Sequence, residues 1–181
     1  NLESPHTWRQ SDTANYIWDF HQNGVDLFHP SVCWMGGHKT LILEFPLLEA
    51  VIAVLYNIFG PSHTIAKVVF LLFFIGSCLY LFKIIHHFLS KEIAWIAVLF
   101  YVFAPLSQFY SRAVQIDYAE LFFCLGMVYF YLKGIRNKNL FYLSIGSLYA
   151  VLAFLTKVPY ALVFIFPLIS YIIYERRILY V

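Results

Sequence analysis

Four charged residues that could take part in chemistry stand at the edges of apolar segments, far apart in the sequence. They are Asp12, Glu44, Asp117 and Lys157. A carboxylate beside a membrane surface can act as a general base, because reduced solvation tunes its proton affinity. A lysine in such a place can hold a phosphate as a point charge. These residues therefore form a candidate site if the topology of the chain places them on one side.

Each of the three carboxylates also has a purely structural interpretation. Asp12 falls at the start of a predicted helix, where a negative charge stabilises the helix dipole. Glu44 precedes Pro46, which suits a first helical turn, so it too can be a helix-start charge. Asp117 and Glu120, three residues apart, share one helix face and can be hydrated at a membrane interface. Both interpretations stay open for all of them.

The bases near these carboxylates are equally ambiguous. Arg112 can be a surface partner of Asp117, and Lys157 can extend to the interface between two apolar segments. Arg9 can bind either Asp12 or a phosphate. An ionisable residue at the edge of a membrane helix is nevertheless a functional candidate.

The composition indicates an integral membrane protein. Hydrophobic residues make up 61% of the 181 residues and charged residues 12%, and the mean hydropathy is +0.72. Soluble domains carry about a quarter charged residues. Runs of Lys and Arg that would suggest nucleic-acid binding do not occur, and Cys33, Cys78 and Cys124 have neither disulfide-framework nor metal-ligand spacing. The sequence therefore predicts an all-α membrane protein with no nucleic-acid partner.

The first 62 residues are predicted to form an outer loop with two short amphipathic helices on the membrane surface. The first covers about 11–23, ends at Asn23-Gly24, and has its apolar face at helical spacing. That face is predicted to comprise Ala14, Ile17, Trp18 and His21. The second covers 46–59, which is too short to span a membrane and carries Glu49 and Tyr56 on one face. Of the outer aromatic residues, Trp8, Trp18 and Trp34 could stack on a sugar or anchor the chain at the interface.

Residues 63–181 are predicted to contain about five membrane helices. Their approximate limits are 64–85, 93–110, 116–133, 139–156 and 159–174. We interpret residues 1–181 as one partial transmembrane domain, because the chain starts without Met and ends just after an apolar segment. An upstream membrane helix that delivers residue 1 to the outer face is expected.

The distribution of charge supports this topology. If 46–59 does not cross the membrane, seven of the twelve Lys and Arg residues lie inside, as the positive-inside rule requires. The inner bases are then Lys83, Lys91, Lys133, Arg136, Lys138, Arg176 and Arg177. Eight of the ten acidic residues lie outside, namely Glu3, Asp12, Asp19, Asp26, Glu44, Glu49, Asp117 and Glu120. The four candidate residues then face the same compartment.

Five short motifs in order carry a resemblance to a known family. They are His-x-Trp-Arg-Gln-x-Asp-Thr-Ala from residue 6, Glu-Phe-Pro-Leu from 44, Leu-Tyr-x-x-Phe-Gly from 55, Tyr-Ser-Arg from 110 with Asp five residues beyond the Arg, and Leu-Thr-Lys-x-Pro from 155. Each is weak alone, but together they resemble the GT-C membrane glycosyltransferases over about 6–174. The chain is most similar to the bacterial RgtA/B/C/D-like group, related to protein O-mannosyltransferases and the lipid A aminoarabinose transferase.

The resemblance implies a GT-C-type helix bundle and a role for each site residue. The catalytic Asp of the family, in its first outer loop, corresponds to Asp12, and a second acid that opens a later helix corresponds to Asp117. Glu44 corresponds to an acid linked to metal or acceptor binding in some relatives. Lys157 matches the lysine implicated in holding the carrier phosphate. Relatives have a Lys after the Glu where this chain has Phe45, so a phosphate contact at that position is not expected.

The function that follows is transfer of a sugar from a polyprenyl- or dolichyl-phosphate donor to an acceptor hydroxyl, with inversion. Asp12 would be the base, Arg112 and Lys157 would offset charge on the leaving phosphate, and Asp117 and Glu44 would orient the acceptor or a divalent metal. The acceptor would be a glycan, lipid or protein, and the location the bacterial inner membrane with the site on the periplasmic face.

Alternatives are a transporter or flippase of a lipid-linked sugar, for which broken helices near the midplane would be typical, and a non-catalytic scaffold.

The histidines leave metal binding open. His6, His21, His29, His38 and His63 are all predicted on the outer side, and any of them could join Asp or Glu around a divalent metal. Their irregular spacing matches no standard ligand motif.

Overall fold

A computed structural model describes residues 7–32, 39–40 and 44–179 of the chain. Nearly all regular structure in these ranges is helical, which confirms the all-α fold class. The exceptions are two-residue strands, β1 (Ser31–Val32) and β2 (Lys39–Thr40), paired antiparallel. The helices are α1 (Thr7–Asn23), α2 (Leu47–Phe59), α3 (His63–Phe88), α4 (Lys91–Phe103), α5 (Pro105–Tyr110), α6 (Asp117–Arg136) and α7 (Leu140–Leu179).

The first amphipathic helix exists but begins four residues earlier than predicted. Asp12 therefore lies in the second turn of α1, where the helix dipole no longer favours a carboxylate, and the helix-start interpretation of Asp12 is wrong. The predicted apolar face is also rotated, since Trp18 is half exposed. The buried residues of α1 are Gln10, Thr13, Tyr16, Ile17 and Phe20. The predicted end is confirmed, with Gly24 at a φ of +91° after Asn23.

The second short helix, α2, matches its prediction closely. It covers Leu47–Phe59 and is too short to span a bilayer. Glu49 and Tyr56, which the spacing placed on one face, are both buried, at 4% and 6% exposure. Its buried face packs against α1 and joins the core, so α2 connects α1 to the membrane helices.

Among the described residues, three helices are long and apolar enough to cross a membrane. They are α3, α6 and the part of α7 from Leu140 to Tyr174. α3 and α6 run parallel, because Phe74 contacts Tyr118 and, further along both helices, Tyr80 contacts Tyr129. Their starts define the Asp117 end of the bundle, and their last turns define the Arg136 end. This architecture is that of an integral membrane protein.

The predicted membrane helix at 93–110 is wrong as a single element. The residue before a proline avoids the helical region, and Ala104 before Pro105 has φ −59° and ψ 135°. The segment is therefore divided into α4, about 20 Å long, and the six-residue α5. α4 runs antiparallel to α3, with Phe82 against Trp95 and Phe74 against Tyr101. The two pieces together return the chain to the Asp117 end.

The two apolar segments predicted at 139–156 and 159–174 form two separate arms of α7, which bends at the non-helical residue Lys157 (φ −165°, ψ 98°). The first arm runs antiparallel to α6, since Leu143 packs on Gly134 and Lys157 reaches Asp117. The second arm runs back, because the rings of Tyr171 and Phe88 lie 5.6 Å apart at the Arg136 end. The chain thus passes between the two ends of the bundle in five segments: α3, α4 with α5, α6 and the two arms of α7.

The core lies where α2, α3, α6 and α7 meet. Fully buried side chains there include Ile52, Phe70, Cys124 and Ala153. α6 and the first arm of α7 approach each other at Gly126, where a Cβ would overlap the ring of Tyr149. The absence of a side chain on Gly126 therefore sets the distance between these two helices.

Candidate active site

The bend in α7 places Lys157 at the Asp117 end and exposes a backbone carbonyl there. Pro159 has no N–H, so it cannot donate to Leu155 four residues earlier as a helix requires. The Leu155 carbonyl instead accepts a hydrogen bond of 3.3 Å from the backbone N–H of Phe45. Since Glu44 precedes Phe45, this bond ties Glu44 to the bend, and the Lys-x-Pro sequence builds the site locally.

Four charged side chains converge at this point, and we call them the charge cluster: Arg9, Glu44, Asp117 and Lys157. The Lys157 Nζ lies 3.0 Å from Asp117 Oδ1 and 3.8 Å from Glu44 Oε1. Arg9 Nη2 donates to the same Glu44 oxygen at 3.3 Å. The two acids and two bases therefore form one network, although up to 148 positions separate them in the sequence. Arg9 comes from α1, Glu44 from the segment that precedes α2, Asp117 from α6 and Lys157 from the bend in α7.

The surroundings of the charge cluster have a low dielectric. Partial burial raises the pKa of the Glu44 carboxyl above its usual value, while the charges of Lys157 and Arg9 oppose the rise and Asp117 adds to it. One turn into α6, Glu120 is fully buried, and neither of its carboxyl oxygens has a hydrogen-bond partner among the described residues. The side chains of the charge cluster are 16–38% exposed, so water screens their interactions only in part.

A cavity of about 620 Å³ opens beside the charge cluster. Arg9, Asp117 and Lys157 line it together with the buried amide side chain of Gln115. Its remaining walls are apolar or aromatic: Trp8, Leu106, Tyr110, Tyr118, Leu121 and Tyr160. The Lys157 ammonium lies 4.8 Å from the centre of the Tyr160 ring. Charged groups at one side of an aromatic cavity can bind a ligand that combines an anion with an apolar or sugar-like face.

The structure brings together four of the six residues proposed for the site. Asp12 is half-buried on α1, one turn beyond Arg9, and is not among the residues that line the cavity. Arg112 is exposed, and its Nε donates to the Gln108 carbonyl at 3.0 Å, so its guanidinium lies outside the charge cluster. The catalytic roles of Asp12 and Asp117 and the phosphate role of Arg112 stay predictions.

The wall residues were mostly missed by sequence reasoning. Trp8 was considered as a sugar-stacking residue and does line the cavity, whereas Trp18 does not and Trp34 lies outside the described residues. Tyr110 and Tyr160 could have been found from their positions, two residues before Arg112 and three after Lys157. Gln115 had no signal in the sequence, because its burial beside the cavity depends on how α5 and α6 are joined.

Within the part of the chain that the structure describes, no group of three or more His, Cys, Asp and Glu side chains is arranged to hold a metal ion. His29 pairs with Asp26, and His21 contacts Asn57, both on the surface. His6 and His38 lie outside the described residues. Glu44, the predicted metal ligand, uses one carboxyl oxygen for both Arg9 and Lys157.

Comparison with known protein families gives a match. The family model described as dolichyl-phosphate-mannose-protein mannosyltransferase covers residues 44–180, about three quarters of the chain. The matched region contains Glu44, Asp117 and Lys157, and Arg9 and Asp12 precede it. Neither curated proteins nor solved structures gave a match.

Proposed function

Because the chain belongs to the dolichyl-phosphate-mannose-protein mannosyltransferase family, we propose that it transfers a sugar from a polyprenyl-phosphate donor to an acceptor hydroxyl at the outer membrane face. Membership in this family makes it a membrane glycosyltransferase that uses a polyprenyl-phosphate sugar. The proposal adds inversion at the anomeric carbon, a glycan, lipid or protein as acceptor, and the periplasmic face of a bacterial inner membrane as the location.

The observation that carries the proposal is the position of Lys157. Its ammonium stands between Asp117 and Glu44 at the side of an aromatic cavity. A compact point charge in this position can exchange a carboxylate for the phosphate of the donor. The bend at Lys157 fixes that ammonium at the Asp117 end, which the proposed topology places at the membrane surface. The lipid-linked phosphate of a donor embedded in the bilayer reaches the same depth.

The reaction we propose is a single displacement. The acceptor oxygen attacks the anomeric carbon, and the bond from that carbon to the phosphate oxygen breaks. The electron pair of the broken bond leaves with the polyprenyl phosphate, and the hydroxyl proton passes to the Asp12 carboxylate. In this scheme Arg9, Arg112 and Lys157 offset the charge that develops on the phosphate. Asp117 and Glu44, held by ion pairs, orient the acceptor; Glu44 could also hold a divalent metal.

The aromatic walls suit a sugar. A pyranose presents apolar C–H faces and a rim of hydroxyls, and it can lie against aromatic rings while polar side chains bind its rim. Trp8 and Tyr160 stand beside the two bases, and Gln115 offers an amide at the same cavity. A site with this composition can hold the sugar while the bases hold the phosphate.

The test is sugar transfer by the complete protein in liposomes, with a polyprenyl-phosphate mannose as donor. Asp12→Asn is expected to abolish transfer while donor binding survives, because the variant lacks a proton acceptor but keeps the bases. Asp19→Asn, seven residues along the same helix at a carboxylate that accepts a hydrogen bond from Asn23 at the surface, is the matched control and should transfer normally. Transfer by Asp12→Asn at the wild-type rate would show that Asp12 is not the base.

A further inference from the structure

At the Arg136 end of the bundle, basic side chains gather around aromatic rings. The Nζ of Lys83 and the Nζ of Lys133 lie 5.2 Å and 5.8 Å from the centre of the same ring, that of Tyr129. Lys133 is also 4.2 Å from the ring centre of Tyr142. Two ammonium groups from α3 and α6 are therefore held around one tyrosine. This position is roughly 24 Å along α6 from Asp117, so it is distinct from the charge cluster.

These ammonium groups have no carboxylate partner among the described residues. The ion pairs found there involve Arg9, His29 and Lys157, and none involves Lys83, Lys133 or Arg136. Neighbouring like charges repel each other, and cation–π contacts stabilise them by only about 0.5–1 kcal/mol at exposed sites. An anion bound between them would remove that repulsion.

A small polar cavity and an apolar groove meet at the same place. The cavity, of about 350 Å³, is lined by Lys133, Arg136 and His87, among others. The groove, of about 440 Å³, lies between α3, α6 and the second arm of α7, and its walls are almost wholly apolar. Leu132 lines both, and the consecutive residues His87 and Phe88 line one each. A ligand with an anionic head and an apolar chain could occupy both at once.

We propose that this composite site binds an anionic phospholipid, with the phosphate at Lys83, Lys133 and Arg136 and an acyl chain in the groove. Basic pockets between membrane helices at the inner leaflet suit anionic headgroups. A free phosphate would use the cations but leave the groove unfilled. Charge complementarity and the continuous groove together therefore favour a lipid, and the proposal is independent of the reaction at the opposite end.

The experiment measures which lipid the complete protein retains. The protein is exchanged into mixed micelles with equal phosphatidylglycerol and phosphatidylcholine, passed through gel filtration, and the retained lipids are quantified. The wild type should prefer phosphatidylglycerol. In the double variant Lys83→Gln/Lys133→Gln, the preference should fall roughly fivefold for each base removed. Val128→Phe, which narrows the groove without changing charge, should also reduce retention.

The matched control is Lys91→Gln/Lys138→Gln, two exposed bases at the same end that line neither cavity. This control should retain phosphatidylglycerol as the wild type does. If both double variants lost the same amount of bound phosphatidylglycerol, general surface charge would explain the retention, and the proposal would be overturned. Displacement of the lipid by inorganic phosphate at equal concentration would also overturn it, since the groove would then contribute nothing.

Discussion

Arg9 and Arg112 carry the same charge in different surroundings, and they therefore test the charge cluster at the scale of single residues. Arg9 donates to Glu44 and lines the cavity, whereas Arg112 is exposed and bonded to Gln108. We expect Arg9→Gln to raise the KM for the polyprenyl-phosphate donor roughly tenfold, the value of one charge-assisted hydrogen bond. Steady-state kinetics in liposomes measures this.

The comparison with Arg112→Gln gives the prediction its control. If Arg112 acts on the leaving phosphate, as we propose, its substitution must lower kcat even though it lies outside the charge cluster. An Arg112→Gln variant that equals the wild type, beside a defective Arg9→Gln variant, would assign the phosphate to Arg9 and Lys157. Equal defects in both would show that Arg112 acts on the donor together with Arg9.

Glu49 predicts a dependence of stability on pH. Burial raises its pKa to about 7, and the nearby charge of Glu44 contributes. The folded state therefore holds this proton more tightly than the unfolded chain, where the pKa is 4.5. Below pH 4.5 the carboxyl is protonated in both states, and the folded protein keeps its full stability. As the pH rises from 4.5 to 7, the free energy of unfolding falls by up to roughly 3 kcal/mol.

Glu49→Gln removes this titration and should raise the melting temperature above pH 7, with little change at pH 5. Melting of the detergent-solubilised protein between pH 5 and 8 measures the difference. Asp19→Asn, a surface acid of α1, is the control and should leave the pH profile unchanged. A Glu49→Gln profile parallel to that of the wild type would mean that water reaches Glu49 in the folded protein.

Single residues of the site were partly predictable from the sequence. Glu44, Asp117 and Lys157 stood out because charges are rare in this chain and each flanks an apolar segment. The topology predicted from the charge distribution then placed these three side chains on the same side of the membrane. Glu120 and Gln115 could not be assigned, because the burial of a polar side chain depends on which neighbouring helix covers it. Asp12 was predicted as part of the same group, and the structure places it one turn along α1 from the cavity-lining Arg9.

At the scale of elements, the close approach of α6 and α7 at Gly126 makes a stability prediction. A Cβ there would overlap the ring of Tyr149, whose hydroxyl is 2.7 Å from that of Tyr80. Gly126→Ala should therefore destabilise the protein by about 1–3 kcal/mol, as overpacking of a core does. Thermal unfolding in detergent measures the loss.

A second substitution shows whether steric overlap causes the loss of stability in Gly126→Ala. Removing the ring in Gly126→Ala/Tyr149→Leu should recover part of the stability that Gly126→Ala loses. The single variant Tyr149→Leu supplies the reference for the lost hydrogen bond. A double variant as unstable as the sum of both single variants would show that the two residues do not interact.

Helices defined by long apolar segments were predictable, as was the break at Lys157, whereas the break inside the predicted segment 93–110 was not. α2, α3 and α6 lie within a few residues of their predicted limits, since length and hydrophobicity determine them. The break at Ala104-Pro105 was signalled by the proline, but hydropathy is continuous across it. The rotation of α1 was missed because its sequence allows several weakly amphipathic faces, and packing against Ala50 and Ala53 of α2 buries Phe20.

At the scale of the whole molecule, the bundle has two chemically different ends. The Asp117 end carries the charge cluster, and the Arg136 end carries Lys83, Lys133 and Arg136. Bases accumulate on the cytoplasmic side of membrane proteins. The structure places α3 and α6 parallel, with α4 and α5 returning the chain between them. Both candidate sites therefore depend on one orientation of the bundle.

That orientation yields the last prediction. In a background with Cys33, Cys78 and Cys124 replaced by Ala, a cysteine is placed at His63, exposed at the start of α3, or at Asn137, exposed after α6. An impermeant maleimide added to intact cells should label His63→Cys and leave Asn137→Cys unlabelled. Both should react after the membrane is permeabilised, which controls for accessibility. The opposite pattern would put the charge cluster on the cytoplasmic side, where the donor sugar would then have to be supplied. The reaction at the outer face would be rejected, while the residues of the site would keep their roles.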